Sequence, residues 1–269
     1  MELRALSWNL YHGRDFPPDP ALFTLRSRLF GITERNDTHL QVNRDLFGEF
    51  AGVLAEANWD VALLQEAPPR WALPLAGSCS AVAHRALTSR NRLLALTSFL
   101  ARHNPDLIAS SEGGSNLTLV RSGVVAERRE LVLRKGPKPE RRTMAFTRLG
   151  SGACVANLHA STSDPLATEE LLLAAERSVE WAAGSPLILG GDFNVRPAGS
   201  QLFGRLADRY GFSAPGDPDA IDHLLASGLE VIEPPRASPP EERELHEQGR
   251  AIRLSDHAPL EALFGTPAG

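Results

Sequence analysis

This 269-residue sequence predicts a mixed α/β (α+β) domain, and three observations support that. Short β-type runs recur from one end of the chain to the other. Helical patterns lie between them. No repeat, low-complexity tract or flexible linker divides the chain, so residues 1–269 are expected to form one domain.

The strand candidates are LRALSW (3–8), VALLQ (61–65), NLTLV (116–120), TMAFTRL (143–149), ACVANLH (153–159) and PLILGG (186–191), with further segments near 221–225 and 258–264. Their length and flanking turn residues favour strands over helices. Between the first two, Val42, Leu46, Phe50, Val53, Leu54 and Ala57 recur on one face at helical spacing. Leu93, Leu94, Thr97 and Leu100 predict another helix, with Ser89 near its start. Asp164 and Pro165 read as the N-cap and first turn of a helix through LATEELLLAAERSVEWAA. A shorter helix should run through QLFGRLADRY and stop at Gly211.

NLTLV, RSGVVAERRELVL and TMAFTRL follow one another with only turn residues between, which predicts antiparallel pairing. Residues 14–39, with a short helix after Asp19-Pro20, and the proline-rich EPPRASPPEER (233–243) are expected to be surface excursions.

A chain this long buries roughly 75% of its unfolded surface. Its 42% hydrophobic and 23% charged residues exclude disorder and fibrous repeats. No apolar stretch reaches the ~18 residues of a membrane span. The start, MELRALSWNL, lacks a basic segment followed by an apolar one, so a cytoplasmic protein is expected. Cys79 and Cys154 read as two unpaired thiols. The net charge of −5 argues against a surface that grips polyanions everywhere.

The informative fact is where the polar residues fall. Asn9 ends the first strand, Glu66 ends VALLQ, and His159 ends ACVANL. Asp192 and Asn194 follow PLILGG, Asp222 lies in AIDHLL, and Asp256-His257 precedes APLEALF. Strands of a packed sheet that finish this way deliver their polar groups to one rim. Each residue alone has an ordinary explanation as a turn former, a cap or a solvated charge.

The chemistry of the set is coherent. Asn9, Glu66 and Asp256 supply hard oxygen ligands suited to Mg²⁺ or Mn²⁺. Asp192 can orient and deprotonate a water, with Asn194 holding the nucleophile or a phosphate oxygen. His159 and His257 are donors suited to the non-bridging oxygens. Asp222 should pair with His257, keep it protonated and raise its pKa.

In this order, WN…QE…SN…NLH…GDFN…IDH…SDH resembles the endonuclease/exonuclease/phosphatase superfamily with its DNase I-like fold, from Trp8 to about Pro259. The resemblance implies a four-layer α/β/β/α sandwich of two packed mixed sheets, with the active site at one edge of the pair. It also implies a metal site at Asn9, Glu66 and Asp256, and a water-activating pair in Asp192 and Asn194. Asp222 with His257 matches the family's acid–histidine pair, and His159 its phosphate-contacting histidine. Asn116 falls where the family carries a substrate-binding Asn, although the strand after it reads LTLV here and usually AIL followed by Ser.

Other candidates have plainer readings. His12 and Gly13 suit either the substrate side of the metal site or a turn after the first strand. His223 follows Asp222 in a strand and so should face the other way, as a packing residue. His84, His103 and His246 are expected on the surface, and Trp59, Trp71 and Trp181 in core or helix-face positions.

The resemblance does not name the ester. ERRELVLRKGPKPERR (127–142) suits a nucleic-acid backbone or a solvated hairpin, and the acidic EERELHE (241–247) would repel a polyanion. The first expectation is a metal-dependent phosphodiesterase acting on DNA, by internal or terminal cleavage, as a monomer. The alternatives are a phosphatase or diesterase for small metabolites or phospholipid head groups, and a catalytically silent binding module.

Overall fold

The computed structural model describes residues 1–88, 91, 94–121, 123–136 and 140–267. The first half runs β1 (Glu2–Asn9), α1 (Leu25–Phe30), β2 (Glu34–Arg35), β3 (Leu40–Gln41), α2 (Phe47–Glu56), β4 (Val61–Ala67), α3 (Ala72–Ser78), β5 (Val82–Leu87), α4 (Leu94–His103), α5 (Pro105–Ile108) and β6 (Ser115–Val120). There follow β7 (Val125–Arg134), β8 (Arg142–Leu149), β9 (Cys154–His159), α6 (Asp164–Ala182), β10 (Leu187–Asp192), α7 (Leu202–Tyr210) and β11 (Asp222–Ser227). The chain closes with β12 (Glu230–Ala237), β13 (Glu244–Glu247), β14 (Arg250–Arg253) and β15 (Leu260–Gly265).

Sheet one has the strand order β12-β15-β1-β4-β6-β5, and sheet two the order β11-β10-β9-β8-β7. Both are mixed: β1 runs parallel to β4 and β9 parallel to β10, with antiparallel neighbours on either side. Alternation along β4 explains the layering. Ala62 and Leu64 face outward into a cluster with Trp8, Phe50 and Leu54, while Val61 and Leu63 face inward against Val155, Ile188 and Leu224 of sheet two. On the far side of sheet two, Ala156, Leu158 and Leu189 pack on Leu171, Ala175 and Leu206 of α6 and α7. The result is the four-layer α/β/β/α sandwich, and burial on both faces is why the central strands read as unbroken apolar runs.

Most predicted elements appear within a residue or two of their expected limits, and the departures have local causes. The 42–57 helix begins only at Phe47; Val42 and Leu46 precede it and are buried all the same. The residue capping α6 is Ser163, with Asp164 already inside the helix. NLTLV (β6) belongs to sheet one, and only β7 and β8 form the antiparallel hairpin. The proline-rich stretch is partly an edge strand, β12, broken by two register shifts, where missing N–H donors cost least. Ser89 and Leu93, assigned to the start of α4, lie outside the described residues, and Leu100 of that helix is exposed. His84 is buried rather than on the surface: its Nδ1 meets Thr147 Oγ1 at 2.8 Å across the two sheets. Trp59 and Trp71 are core residues, Trp181 packs against Phe146, and both cysteines are buried free thiols.

Candidate active site

Parallel strands β1, β4, β9 and β10 end at the same rim where β6, β8 and β11 begin, so seven strands contribute there. In sheet two, His159 stands opposite Asp192 and Asp192 opposite Asp222. Gly191, just before Asp192, has φ +134°, and a Cβ there would lie 1.9 Å from Leu158 O. Glycine is therefore required for β10 to run this close to β9.

Sheet one reaches the rim through a bulge. The β4–β6 register shifts between Leu64 and Ala67, so Gln65 and Glu66 together oppose Asn116. Glu66 sits at φ +49°, which swings its carboxylate out of the strand's alternation. The carbonyls freed at the bulge are taken up from the other sheet. Asn157 Nδ2 donates to Leu64 O at 3.3 Å and to Leu117 O at 3.2 Å, and its Oδ1 accepts from Gln65 Nε2 at 2.8 Å. Among the described residues, eight non-glycine residues have positive φ, and five of them, Tyr11, His12, Glu66, Asn194 and Ser255, lie in the motifs of this rim. Strain of this kind costs on the order of 1–3 kcal/mol per residue and clusters at functional sites.

The side chains converge. Asn9 Nδ2 donates to Asp192 Oδ2 at 3.0 Å. His159 bridges the sheets, with Nε2 3.4 Å from Asp192 Oδ2 and Nδ1 3.7 Å from Glu66 Oε1. His257 Nδ1 contacts Asp222 Oδ2 at 2.7 Å, and its Nε2 lies 3.9 Å from both Asp192 Oδ2 and Asp256 Oδ1. Asn194 donates its backbone N–H to Asp192 Oδ1 at 3.0 Å and its Nδ2 to Ala160 O. His12 Nε2 is 3.2 Å from Glu66 Oε2, and Asn116 Nδ2 donates to Thr143 O at 2.5 Å. All ten residues singled out from the sequence thus border one rim. His223 faces away, between Phe193 and Phe203, as its place in β11 requires.

Environment pushes the ionisable groups apart. Burial, with Asp222 close by, raises the Asp192 carboxyl to about 7. Burial disfavours the His257 cation, but the hydrogen bond and charge of Asp222, with Asp192 and Asp256 behind, outweigh it and lift His257 to about 10. His159 goes the other way: burial and the Arg142 charge hold it well below the usual imidazole range, so it is neutral. Asp256 is raised by burial and further by the neighbouring Glu66 charge.

Three contributors went unrecognised in the sequence. Ser255 Oγ donates to Asn9 O at 2.6 Å and accepts the His257 N–H, tying the first strand to the last motif. Trp8 Nε1 donates to His257 O at 2.9 Å. Both lie inside the WN and SDH motifs, where Ser255 reads locally as turn or capping chemistry and nothing local shows its reach to Asn9. Arg142 is buried beside His159, and its Nε has no hydrogen-bond partner among the described residues. In the sequence it was one arginine of a basic run, and only the strand register separates it from the others.

The Endonuclease/Exonuclease/phosphatase family model matches residues 6–257. The chain belongs to that family. Among solved structures, a family protein from Bacteroides thetaiotaomicron is 15% identical with a TM-score of 0.67, covering 100% of this chain and 99% of that one. A mannosyl-6-phosphatase from B. thetaiotaomicron VPI-5482 is 16% identical, with a TM-score of 0.64 and coverage of 97% and 99%. Truncated TDP2 from Caenorhabditis elegans is 16% identical, with a TM-score of 0.56 and 98% of each chain covered. At these identities the likeness shows the DNase I-like fold. The curated proteins include no significant match. Members of the family hydrolyse phosphoesters and generally depend on a divalent metal. No helix among the described residues is long and apolar enough to cross a membrane.

Proposed function

We propose that the protein is a divalent-metal-dependent phosphoester hydrolase that cleaves phosphodiester bonds, with DNA as its first substrate class. The observation that carries this reading is the line Asp222–His257–Asp192 standing beside Glu66 and His159, with the His257 imidazole raised to about 10 and the His159 imidazole held well below its usual range. Pairs of titratable groups separated in this way mark acid–base division of labour.

Asp192 orients the attacking water and takes its proton, while the water oxygen bonds to phosphorus and the ester oxygen leaves. Asn9 and the Asn194 backbone N–H hold the two Asp192 oxygens in place. His257, kept protonated by Asp222, donates to a non-bridging phosphate oxygen, and neutral His159 offers a second N–H. Asn116 and His12 line the substrate side.

Glu66, Asp256 and the Asn9 amide oxygen fit Mg²⁺ or Mn²⁺. The donors are all hard oxygens, and the Glu66 charge pushing up Asp256 is a repulsion that a cation relieves. A divalent ion held there would neutralise a phosphate oxygen and the developing alkoxide. Asp192, Asp222 and His257 also place ligand atoms within 4.8 Å of one another. A protonated His257 has no free lone pair, however, so that trio suits proton chemistry better than metal ligation.

Lys135 and Arg141, exposed in the β7–β8 connection that leads to Arg142, favour DNA. A second reading, a small or phospholipid head-group ester, is favoured by the rest of the basic run. Arg129 pairs with Glu127, and Arg134 with Glu169 and Glu170, which leaves a short positive surface. The test is a hydrolysis screen of Mg²⁺ and Mn²⁺ against DNA, inositol phosphates and head-group esters, with Asp192→Ala as the blank. DNA should turn over fastest, and an Asp192→Ala protein with full activity would refute the assignment.

A further inference from the structure

The segments around α1, α4 and α5 are built inside out. Beneath α1 and α5 the inner side is largely polar, with Ala101 of α4 and Pro105 buried beside it: Ser27 Oγ donates to Gln41, Asn43 Nδ2 donates to Ser27 O at 2.8 Å, and Gln41 Nε2 donates to Asp106 at 2.7 Å. Asn104 ties the three helices together. Its Nδ2 donates to Arg28 O at 3.0 Å, while its Oδ1 accepts from Asn43 Nδ2 at 2.7 Å and from the Leu107 N–H at 2.9 Å.

The outer side is apolar. Leu25 is 74% exposed, Phe30 73% and Phe99 59%, with Leu29, Leu96 and Leu107 exposed beside them in the same three elements. Isolated exposed leucines are ordinary. A concentration of large apolar side chains over a polar interior is the reverse of ordinary packing and marks an interaction surface.

Charge narrows the partner. Arg26, Arg28 and Arg102 are exposed among these residues. Residues 20–33 contain no Asp or Glu, and residues 94–108 contain only Asp106, which is turned inward to Gln41 and Arg14. A locally cationic apolar face on a chain of net charge −5 complements an anionic, apolar medium. The face also connects to the rim. Asp106 meets Arg14 at 3.7 Å, Arg14 stacks 3.9 Å over Tyr11, and the Tyr11 N–H donates to Asn9 Oδ1 at 3.0 Å.

We infer that the α1/α4/α5 face docks on an anionic phospholipid bilayer, setting the catalytic rim beside the lipid surface. This inference stands apart from the phosphoesterase reading, because vesicle binding is measured without turnover. The experiment is co-sedimentation of the full chain with vesicles of phosphatidylcholine alone and of phosphatidylcholine mixed with phosphatidylglycerol. Binding should favour the mixed vesicles. It should fall about tenfold in a Leu29→Ser/Phe30→Ser/Phe99→Ser variant, and by a similar factor in Arg26→Glu/Arg28→Glu. Both variants change exposed residues, so their unfolding midpoints should match the parent and serve as the folding control. No binding to mixed vesicles, equal binding to both kinds, or loss in the arginine variant alone would overturn the inference. So would a parent dimer, seen by light scattering, that the triple serine variant dissolves, since the occupant would then be a second copy.

Discussion

Sheet two lines up His159, Asp192 and Asp222 across three adjacent strands, within reach of His257; burial holds His159 low and raises Asp192 to about 7, while Asp222 lifts His257 to about 10. Sheet one brings Asn9, Glu66 and Asn116 to the same rim by other means: a strand end, a bulge and a strand start. On the proposed reading, sheet two carries the proton chemistry and sheet one the oxygen ligands. The difference follows from geometry. Side chains in register on neighbouring strands sit close enough to shift one another's charge, whereas a bulge turns one carboxylate out of its strand's alternation, toward His12 and His159.

The division is testable from its strongest consequence downward. Asp192→Asn should lower kcat by about a thousandfold or more at saturating metal, since the water loses its base. Asp222→Asn should cost on the order of a hundredfold in kcat and lower the pKa of His257, which an NMR titration of the imidazole would follow. Glu66→Gln should act differently, raising the Mn²⁺ concentration needed for half-maximal rate more than it lowers the saturated rate. A loss of kcat with an unchanged metal requirement would break the proposed division.

A fourth change tests what joins the sheets. Asn157→Leu leaves Leu64 O and Leu117 O without that donor between the sheets, at about 1–3 kcal/mol each. Urea unfolding should show a loss of that order, and a neutral result would mean that the bulge closes without Asn157.

The smallest effects concern pH. Burial lowers His84 to about 4, so the folded protein binds fewer protons than the unfolded chain between about 6.5 and 4. The stability that His84 confers is therefore complete above that window and is lost as pH falls through it. Asp15 has the opposite sign: burial raises it to about 8, so its favourable contribution is complete below the ordinary carboxylate range and is lost as pH rises through 8. His84→Gln should flatten the acid limb of stability against pH, and Asp15→Asn the alkaline limb, both read from urea midpoints between pH 4 and 9.

How much of this was legible varies by residue. Asp192, Asp222, His159 and His257 end or adjoin clean apolar runs, so their shared rim could be read from strand polarity alone. His84 reads as a surface residue and is buried. In a strand of modest hydrophobicity nothing local shows that the opposite sheet covers it and offers Thr147. Arg142 differs from its neighbours only by strand register, and Asn157 looks like any strand amide until the bulge it closes is in view. The exposed face of α1 and α4 was hidden for a related reason, because helical spacing reports that a stripe is apolar but not whether anything lies against it.

Local chemistry along the chain determined the strand runs, the rim residues and the membership of one family, since these depend on residue type, alternation and order. The tertiary structure decided what depends on distance between remote segments. It set which sheet each strand joins, the opposed ionisation of Asp192, His159 and His257, and the polar side on which the α1/α4/α5 layer rests. Burial and charge proximity are properties of the folded surroundings, and no stretch of sequence carries them alone.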